Sequence, residues 1–387
     1  MRILMVGADF FPNIAGYSTR LYGETKNLVE LGHEVTLLVP KRNEEWKKHE
    51  TIDGINIIRV YPHKKFRGLL EISRKVRYLM KGDSFDVIQA HNPHNFGLAA
   101  YLGSIGYDIP FLYELHHSDY ETEKNTLIEW LTRNNVIRKL LSNLLYSQSD
   151  CVLSISKSIR ENLIDSGIPG NKIMLLPNGV DTSRFKPIPK DPVILDDYKL
   201  RGKKIIMFLG KFQVWESLEK LVRIFSKITA DLDDVKLMLV GDGPTRKKIE
   251  RNVSELNLID DVIITGFIPY EEIQRYYSVS DVFVLVREDN ELTRDTTPIK
   301  PLEAMAMGKV VVSTDLKAIR EIITNNDTGF LTSHDEDEIS KKVIKILQNP
   351  IIQQKVGNKA AEYIRKERSW KSIVKKLDEK YNSLLVN

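Results

Sequence analysis

Two carboxylates, Asp295 and Glu303, stand eight positions apart in the run Asp295-Thr296-Thr297-Pro298-Ile299-Lys300-Pro301-Leu302-Glu303-Ala304-Met305-Ala306-Met307-Gly308. Pro298 and Pro301 stiffen the loop between them, and Glu303 opens a short helical pattern ahead of an apolar strand. An acid so placed can accept hydrogen bonds from a diol, while free N–H groups at a helix start attract an anion. The helix dipole alone would also favour a surface acid there, so this signal needs company. Company is found at other apparent strand ends. Gly210-Lys211 brings a cation to where a phosphate would sit. His91, in Gln89-Ala90-His91-Asn92-Pro93-His94, ends an apolar run, and His94, His116 and His117 are weaker candidates of the same kind. Gly241 in Val240-Gly241-Asp242-Gly243-Pro244 and Gly266 in Thr265-Gly266-Phe267-Ile268-Pro269 give glycine turns, which also fit plain loops. The loop Gly7–Gly16 closes on the small pair Ala15-Gly16, letting backbone N–H groups approach an anion. It lacks G-x-G-x-x-G, which argues against a nicotinamide or flavin cofactor.

The elements that would carry these residues alternate in type. Arg2–Val6, Glu34–Val39, Ile55–Val60, Asp86–Gln89, Pro110–Tyr113 and Cys151–Ile155 read as strands, with amphipathic stretches between several of them. In Gly16–Leu31 the residues Tyr17, Leu21, Leu28 and Leu31 share one face, and Gly32 stops the helix. The pattern restarts with strands Lys204–Leu209, Val235–Val240, Asp261–Thr265, Asp281–Val286 and Lys309–Val312, and helices Ser217–Thr229 and Thr245–Leu256. Periodicity lapses over Pro177–Lys203, which reads as the connection between two domains. A last helix, Trp370–Leu385, has no strand after it and is expected to pack away from the second sheet. This is an α/β chain of two doubly wound Rossmann-like domains, whose ligands belong beyond the carboxyl ends of the strands.

The 387 residues exceed one ordinary core, and 42% hydrophobic with 28% charged residues is a globular balance. One cysteine, Cys151, excludes a disulfide framework and favours a reducing compartment. No run of about twenty apolar residues predicts a membrane span, and the start lacks the pattern of a signal peptide. A net charge of +4 gives no argument for nucleic acid as a partner. No cluster of metal-ligand spacing is visible, so no metal and no cofactor is expected.

Further motifs fall into an order. Leu31-Gly32-His33-Glu34-Val35-Thr36, Ser154-Ile155-Ser156-Lys157, Leu176-Pro177-Asn178-Gly179-Val180-Asp181 and Phe185-Lys186-Pro187 precede the two glycine turns and the Pro301–Gly308 run. In that order the chain resembles the retaining glycosyltransferases of family 4, which have the GT-B fold, over nearly its whole length. The resemblance implies an acceptor-side domain of residues 1–177 with 371–387, a nucleotide-sugar domain of 178–370, and an active site in the cleft between them. It implies that Glu303 holds the ribose hydroxyls of a nucleotide-diphosphate sugar and that Asp295 contacts a donor sugar hydroxyl. Gly16, with Ala15, faces the diphosphate, His91 is the active-site histidine, and Phe267 and Ile268 hold the base. Gly210, Lys211, Gly241, Pro298, Ile299 and Lys300 complete the donor site. The chain departs from the family in two places. Asp295 stands where a glutamate is usual, and the second member of a phosphate-binding Arg…Lys pair becomes Glu216, after Lys211. Lys300 or Arg294, on the donor-side loop, is expected to supply the missing charge.

The implied reaction transfers a sugar, with retention, from a nucleotide-diphosphate sugar (UDP over GDP) to a hydroxyl of a glycan, lipid or lipid-linked acceptor, without metal. A sugar-nucleotide epimerase of the same fold, needing no acceptor, and a non-catalytic nucleotide-sugar sensor are the competing readings. A cytoplasmic location is expected. The basic stretch 63–81, with Leu69, Ile72, Val76 and Leu79 at helical spacing and Glu71 its only acid, suggests peripheral attachment to an anionic membrane surface.

Overall fold

A computed structural model describes residues 1–12, 16–61, 66–116 and 135–386, with the backbone alone for 66–67 and 135–139. The chain divides into two units, Met1–Asn178 with Trp370–Asn387, and Gly179–Ser369. Each is a doubly wound α/β domain.

In the first unit the strands are β1 (Arg2–Val6), β2 (Glu34–Pro40), β3 (His49–Ile52), β4 (Ile55–Val60), β5 (Val87–His91), β6 (Phe111–Leu115), β7 (Cys151–Ser154) and β8 (Ile173–Leu175). They form one sheet in the order β3-β4-β2-β1-β5-β6-β7-β8, parallel except for β3, which runs antiparallel to β4. Central strands are buried on both faces, as β1, β5 and β6 show, so they read as mostly apolar runs, interrupted by Gln89 and His91 in β5 and Glu114 in β6. The edge strand β3 carries exposed His49 and Thr51, and β8 has three residues; neither is long or apolar enough to announce itself in sequence. Strand order reverses at β1, between β2 and β5, which places a crevice beyond Val6 and His91.

Two expected faces differ in the structure. The helix Gly16–Glu30 buries Leu21 and Leu28, but Leu31 is 44% exposed, and Arg20 and Glu24 take buried places on the helix. In the helix Phe66–Gly82, Leu69, Ile72, Val76 and Leu79 are buried and belong to the core beside the helix His94–Ser104. Where a Cβ would stand on Gly103, Val76 Cβ is only 2.6 Å away, so the two helices meet backbone against side chain. The apolar stripe is therefore spent on the fold and has none left for a bilayer. His63, Lys64 and Lys65 lie outside the described residues.

The helix Trp370–Leu385 packs on Gly16–Glu30, burying Trp370, Ile373, Val374, Leu377 and Tyr381. A Cβ on Gly23 would stand 2.2 Å from the Trp370 indole Nε1, so only glycine admits this approach.

In the second unit the strands are β9 (Lys204–Leu209), β10 (Val235–Val240), β11 (Val262–Ile264), β12 (Val282–Leu285), β13 (Val310–Thr314) and β14 (Phe330–Thr332). All are parallel, in the order β11-β10-β9-β12-β13-β14. The reversal falls between β9 and β12, so the crevice opens beyond Leu209 and Leu285. The stretch 177–203 is not a bare connection. It holds the helix Pro192–Asp197, whose first N–H groups are capped by Asp191. Phe185, Ile194 and Leu200 enter the second unit's core. One helical turn with a single buried side chain is too short to show a period, which is why the sequence reads as aperiodic there.

Candidate active site

The second crevice is built on glycines that let chain segments touch. Gly210 leaves β9 with φ +142°, and a Cβ on it would lie 2.1 Å from Lys300 Cε. The Lys300 stem thus crosses directly over the turn. Its ammonium lies 2.5 Å from Glu216 Oε1 and 5.0 Å from the centre of the Phe208 ring. Gly241, after β10, has φ +132° and its absent Cβ would meet Gly210 O at 2.1 Å; it also bridges to Gly266 after β11. Three loops are knitted together at one end of the sheet. Beyond them Phe267 is 70% exposed, a rare position for a large aromatic, with half-buried Ile268 beside it.

Glu303 sits in the first turn of the helix Lys300–Ala306 and is 5% exposed. The Tyr277 hydroxyl donates to its Oε2 at 3.0 Å and the Tyr270 hydroxyl to its Oε1 at 3.4 Å. Burial pushes its carboxyl up to about 7, against the opposing pull of the tyrosines, Arg184 and Lys300. Asp295 ends a separate short helix, Glu291–Asp295, and is half-buried. Pro298 and Ile299 lie between the two helices, both half-buried.

The cations of this crevice sort themselves. Lys211 is exposed, and its ammonium has no ion-pair or hydrogen-bond partner among the described residues. Of the two candidates for the missing charge, Arg294 is paired with Asp289 through two contacts of 2.5 and 3.0 Å, and Lys300 lies over the Gly210 turn, paired with Glu216. Sequence reasoning passed over Arg287, which follows β12 and is 4% exposed. Its Nη1 donates to Thr296 O at 3.1 Å; burial pulls its pKa down and the nearby Glu216 charge works against that pull.

In the first unit, Ala15 and His117 lie outside the described residues. Gly16 opens its helix, exposed, with open space where a Cβ would point. His91 ends β5 but is completely buried. It belongs to a network of charges around Glu114, the lone acid in the apolar strand Phe111–Leu115. Glu114 Oε1 accepts from Arg20 Nε at 2.7 Å and lies 2.8 Å from His116 Nε2 and 3.3 Å from His91 Nδ1. Its Oε2 accepts from Gln89 Nε2 at 2.8 Å. Arg20 also donates to Asn178 Oδ1 at 3.0 Å and Leu176 O at 2.9 Å, and its Nη2 lies 2.7 Å from Glu24 Oε1 outside hydrogen-bonding direction. The Tyr381 hydroxyl donates to Gln89 Oε1 and closes the set from the last helix.

The electrostatics follow from this geometry. Burial opposes ionisation of Glu114, but Arg20 and the two histidines overcome it and hold its carboxyl well below the usual range. Burial, with the Glu114 charge, lifts Glu24 to about 7. Burial lowers His116 to about 4, whereas for His91 the Glu114 charge outweighs burial and raises the pKa. His116, 6% exposed and stacked on Tyr17 with ring centres 4.6 Å apart, is thus a neutral imidazole nearer solvent than His91. His94 does other work, 2.7 Å from Ser142 Oγ. His91, Glu114 and His116 place their ligand atoms within 4.8 Å of one another. A cation entering there would have to displace Arg20 from Glu114, so the geometry favours an ion-pair network over a metal centre.

Two doubly wound domains, the second with a buried acid and cations at its switch point, have the architecture of a glycosyltransferase of the GT-B fold. Comparison with known proteins gives the family: residues 14–184 match the description Glycosyltransferase Family 4 and residues 195–363 match Glycosyl transferases group 1, and the chain belongs to this glycosyltransferase family. It is 25% identical to the N-acetyl-alpha-D-glucosaminyl L-malate synthase of Bacillus anthracis, over 99% of this chain and 97% of that one. It is 23% identical to the alpha-monoglucosyldiacylglycerol synthase of Streptococcus pneumoniae, over 87% of this chain and 76% of that one. Among solved structures, Anabaena HepE in complex with UDP superimposes with a TM-score of 0.80 at 17% identity, covering 99% of this chain and 100% of that one.

Proposed function

We propose that this glycosyltransferase moves a sugar, with retention of configuration, from a UDP-sugar to a hydroxyl of a glycan, lipid or lipid-linked acceptor. The observation that carries the reading is Glu303. It is a buried acid between two tyrosine hydroxyls, beside a switch point that also holds Lys211 and Lys300, with the exposed Phe267 on the loop after β11. Glu303 accepts the ribose hydroxyls, Phe267 and Ile268 cover the base, and Asp295 takes a sugar hydroxyl. Negative charge grows on the leaving diphosphate as the glycosidic bond breaks. Lys211 and Lys300 stabilise it, so catalysis is mostly electrostatics and positioning. The departing phosphate oxygen accepts the acceptor's proton, which removes the need for a side-chain base or a metal. On the acceptor side His91 and His116 form an ordered imidazole pair, with His116, the less buried of the two, the one to meet the acceptor. UDP over GDP follows the family's commoner usage, and a lipid acceptor is supported by the name of the Streptococcus pneumoniae relative.

Thermal-shift screening against UDP-, GDP- and ADP-sugars tests the donor, since a ligand bound only by the folded state raises the melting temperature. Anomeric analysis of the product then tests retention, and turnover in EDTA tests independence of metal. An epimerase would form product without acceptor. Lys211→Ala is expected to weaken UDP about tenfold, the loss of one charge-assisted contact, and uridine hardly at all. Equal losses in calorimetry would mean that Lys211 supports the fold.

Among the described residues no helix is long and apolar enough to cross a membrane. Any attachment would be electrostatic, through exposed Arg74, Arg77 and Lys81 beside Tyr78, which is 68% exposed. Each basic residue near an anionic leaflet contributes about 1 kcal/mol. Wild type should sediment with phosphatidylglycerol vesicles at low salt and be released at high salt, and replacing Arg74, Lys75, Arg77 and Lys81 by glutamine should abolish sedimentation. Failure of the wild type to sediment at low salt points instead to a soluble acceptor.

A further inference from the structure

Glu216 is an acid in an unfavourable place. It is 2% exposed, its Oε2 has no hydrogen-bond partner among the described residues, and it stands beside a crevice read as holding a diphosphate. Burial of a charge is costly unless it is paired, and an acid also repels phosphate. Its pairing is specific. Oε1 lies 2.5 Å from Lys300 Nζ, and the buried Arg287 is the second cation acting on it. Two cations and one acid leave the cluster net positive.

The pairing does something to Lys300 that charge alone would not. A lysine side chain is flexible and loses up to about 2 kcal/mol of rotamer entropy when held still. Here it is held before any donor arrives. The missing side chain at Gly210 opens its path, the Phe208 ring lies beneath the ammonium, and Glu216 takes one of its three N–H donors. The other two remain for phosphate oxygens.

We propose that Glu216 is a positioning residue that holds the Lys300 ammonium across the Gly210 turn, aimed at the donor diphosphate, while Arg287 offsets its charge. The proposal rests on the reading of Lys300 as a phosphate cation. Its consequence has an unusual sign. If Glu216 were only a neighbouring charge, removing it would strengthen diphosphate binding. As a positioning residue, its removal weakens that binding although the crevice becomes more positive.

The test is the ratio of affinities for UDP and UMP, measured by calorimetry on the full chain, or for GDP and GMP if the thermal shift selects guanine. This ratio isolates the second phosphate, and a general loss of stability does not move it. Glu216→Ala is expected to lower the ratio about tenfold, the scale of the rotamer freedom restored to Lys300. Glu216→Gln, which keeps an acceptor oxygen, should lower it less. In a Lys300→Met background the change at 216 should no longer lower the ratio. A ratio at or above wild type in Glu216→Ala, with Lys300→Met lowering it, overturns the positioning role and leaves the phosphate cation standing. No change in Lys300→Met overturns the underlying reading of Lys300. Should Glu216→Ala fail to fold, Glu216→Gln carries the same test, and a ratio at or above wild type overturns the proposal.

Discussion

Glu303→Ala is expected to reduce affinity for the nucleotide-sugar donor by at least about a hundredfold. Two hydroxyls of a desolvated ribose would lose a charged acceptor, at about 1.5–3 kcal/mol for each such hydrogen bond. Tyr270 and Tyr277, whose hydroxyls donate to that carboxylate, are neutral groups and cannot supply the charged acceptor that is lost. Calorimetry with the donor chosen by thermal shift measures the loss, and wild-type affinity in the variant removes the ribose assignment. Burial raises the Glu303 carboxyl to about 7, so it is largely protonated at pH 6 and largely ionised at pH 8. A neutral carboxyl accepts more weakly than a carboxylate. Donor affinity should therefore rise between pH 6 and 8, and Glu303→Gln should flatten the profile. The intact nucleotide-sugar is the right probe, because its diphosphate has no proton to lose in that range. For the fold alone the sign is opposite. A pKa raised above its unfolded value contributes stability that is full below about 4.5 and is lost as pH rises through 7.

Arg20→Met is expected to destabilise the first unit by about 3–5 kcal/mol, the cost of removing one partner from a buried charge network. Arg20 is 1% exposed and faces two buried carboxylates, those of Glu24 and Glu114. Without the guanidinium both remain in a dry site, and their mutual repulsion favours protonation. The loss should depend on pH in a defined direction. In the wild type the Glu114 carboxyl is held low, so its contribution is present above the unfolded carboxyl range and lost only as pH falls through its depressed value. In the variant both carboxyls move upward, and stability is lost as pH rises. Urea midpoints from pH 5 to 8 should show the gap between variant and wild type widening with pH. A constant gap would mean that the network contributes by packing alone.

These two sites were not equally legible. The acid, the glycine turns and Lys211 of the second unit lie in short segments with a recognisable order, because each loop follows its own strand directly. Pairing Lys300 with Glu216 was beyond sequence, since the two lie 84 positions apart and meet only because Gly210 has no side chain. Arg287 looked like any residue after a strand. In the first unit His91 was visible at a strand end, but what surrounds it was not. The ladder from Arg20 to Glu114 spans 94 positions, and Tyr381 reaches Gln89 across 292. The traces it left were small: an acid alone in Phe111–Leu115, and Arg20 and Glu24 four apart on a face that was expected to be apolar.

The return of helix Trp370–Leu385 to the first unit has a consequence for biosynthesis. The groove on Gly16–Glu30 that receives Trp370 at Gly23, and the Gln89 carbonyl that receives the Tyr381 hydroxyl, stay unfilled until the residues after 369 have left the ribosome. The later-encoded unit, Gly179–Ser369, is contiguous and can close on itself sooner. On the translating ribosome the order of completion therefore runs against the order of synthesis, with the half made first waiting longest for its last helix.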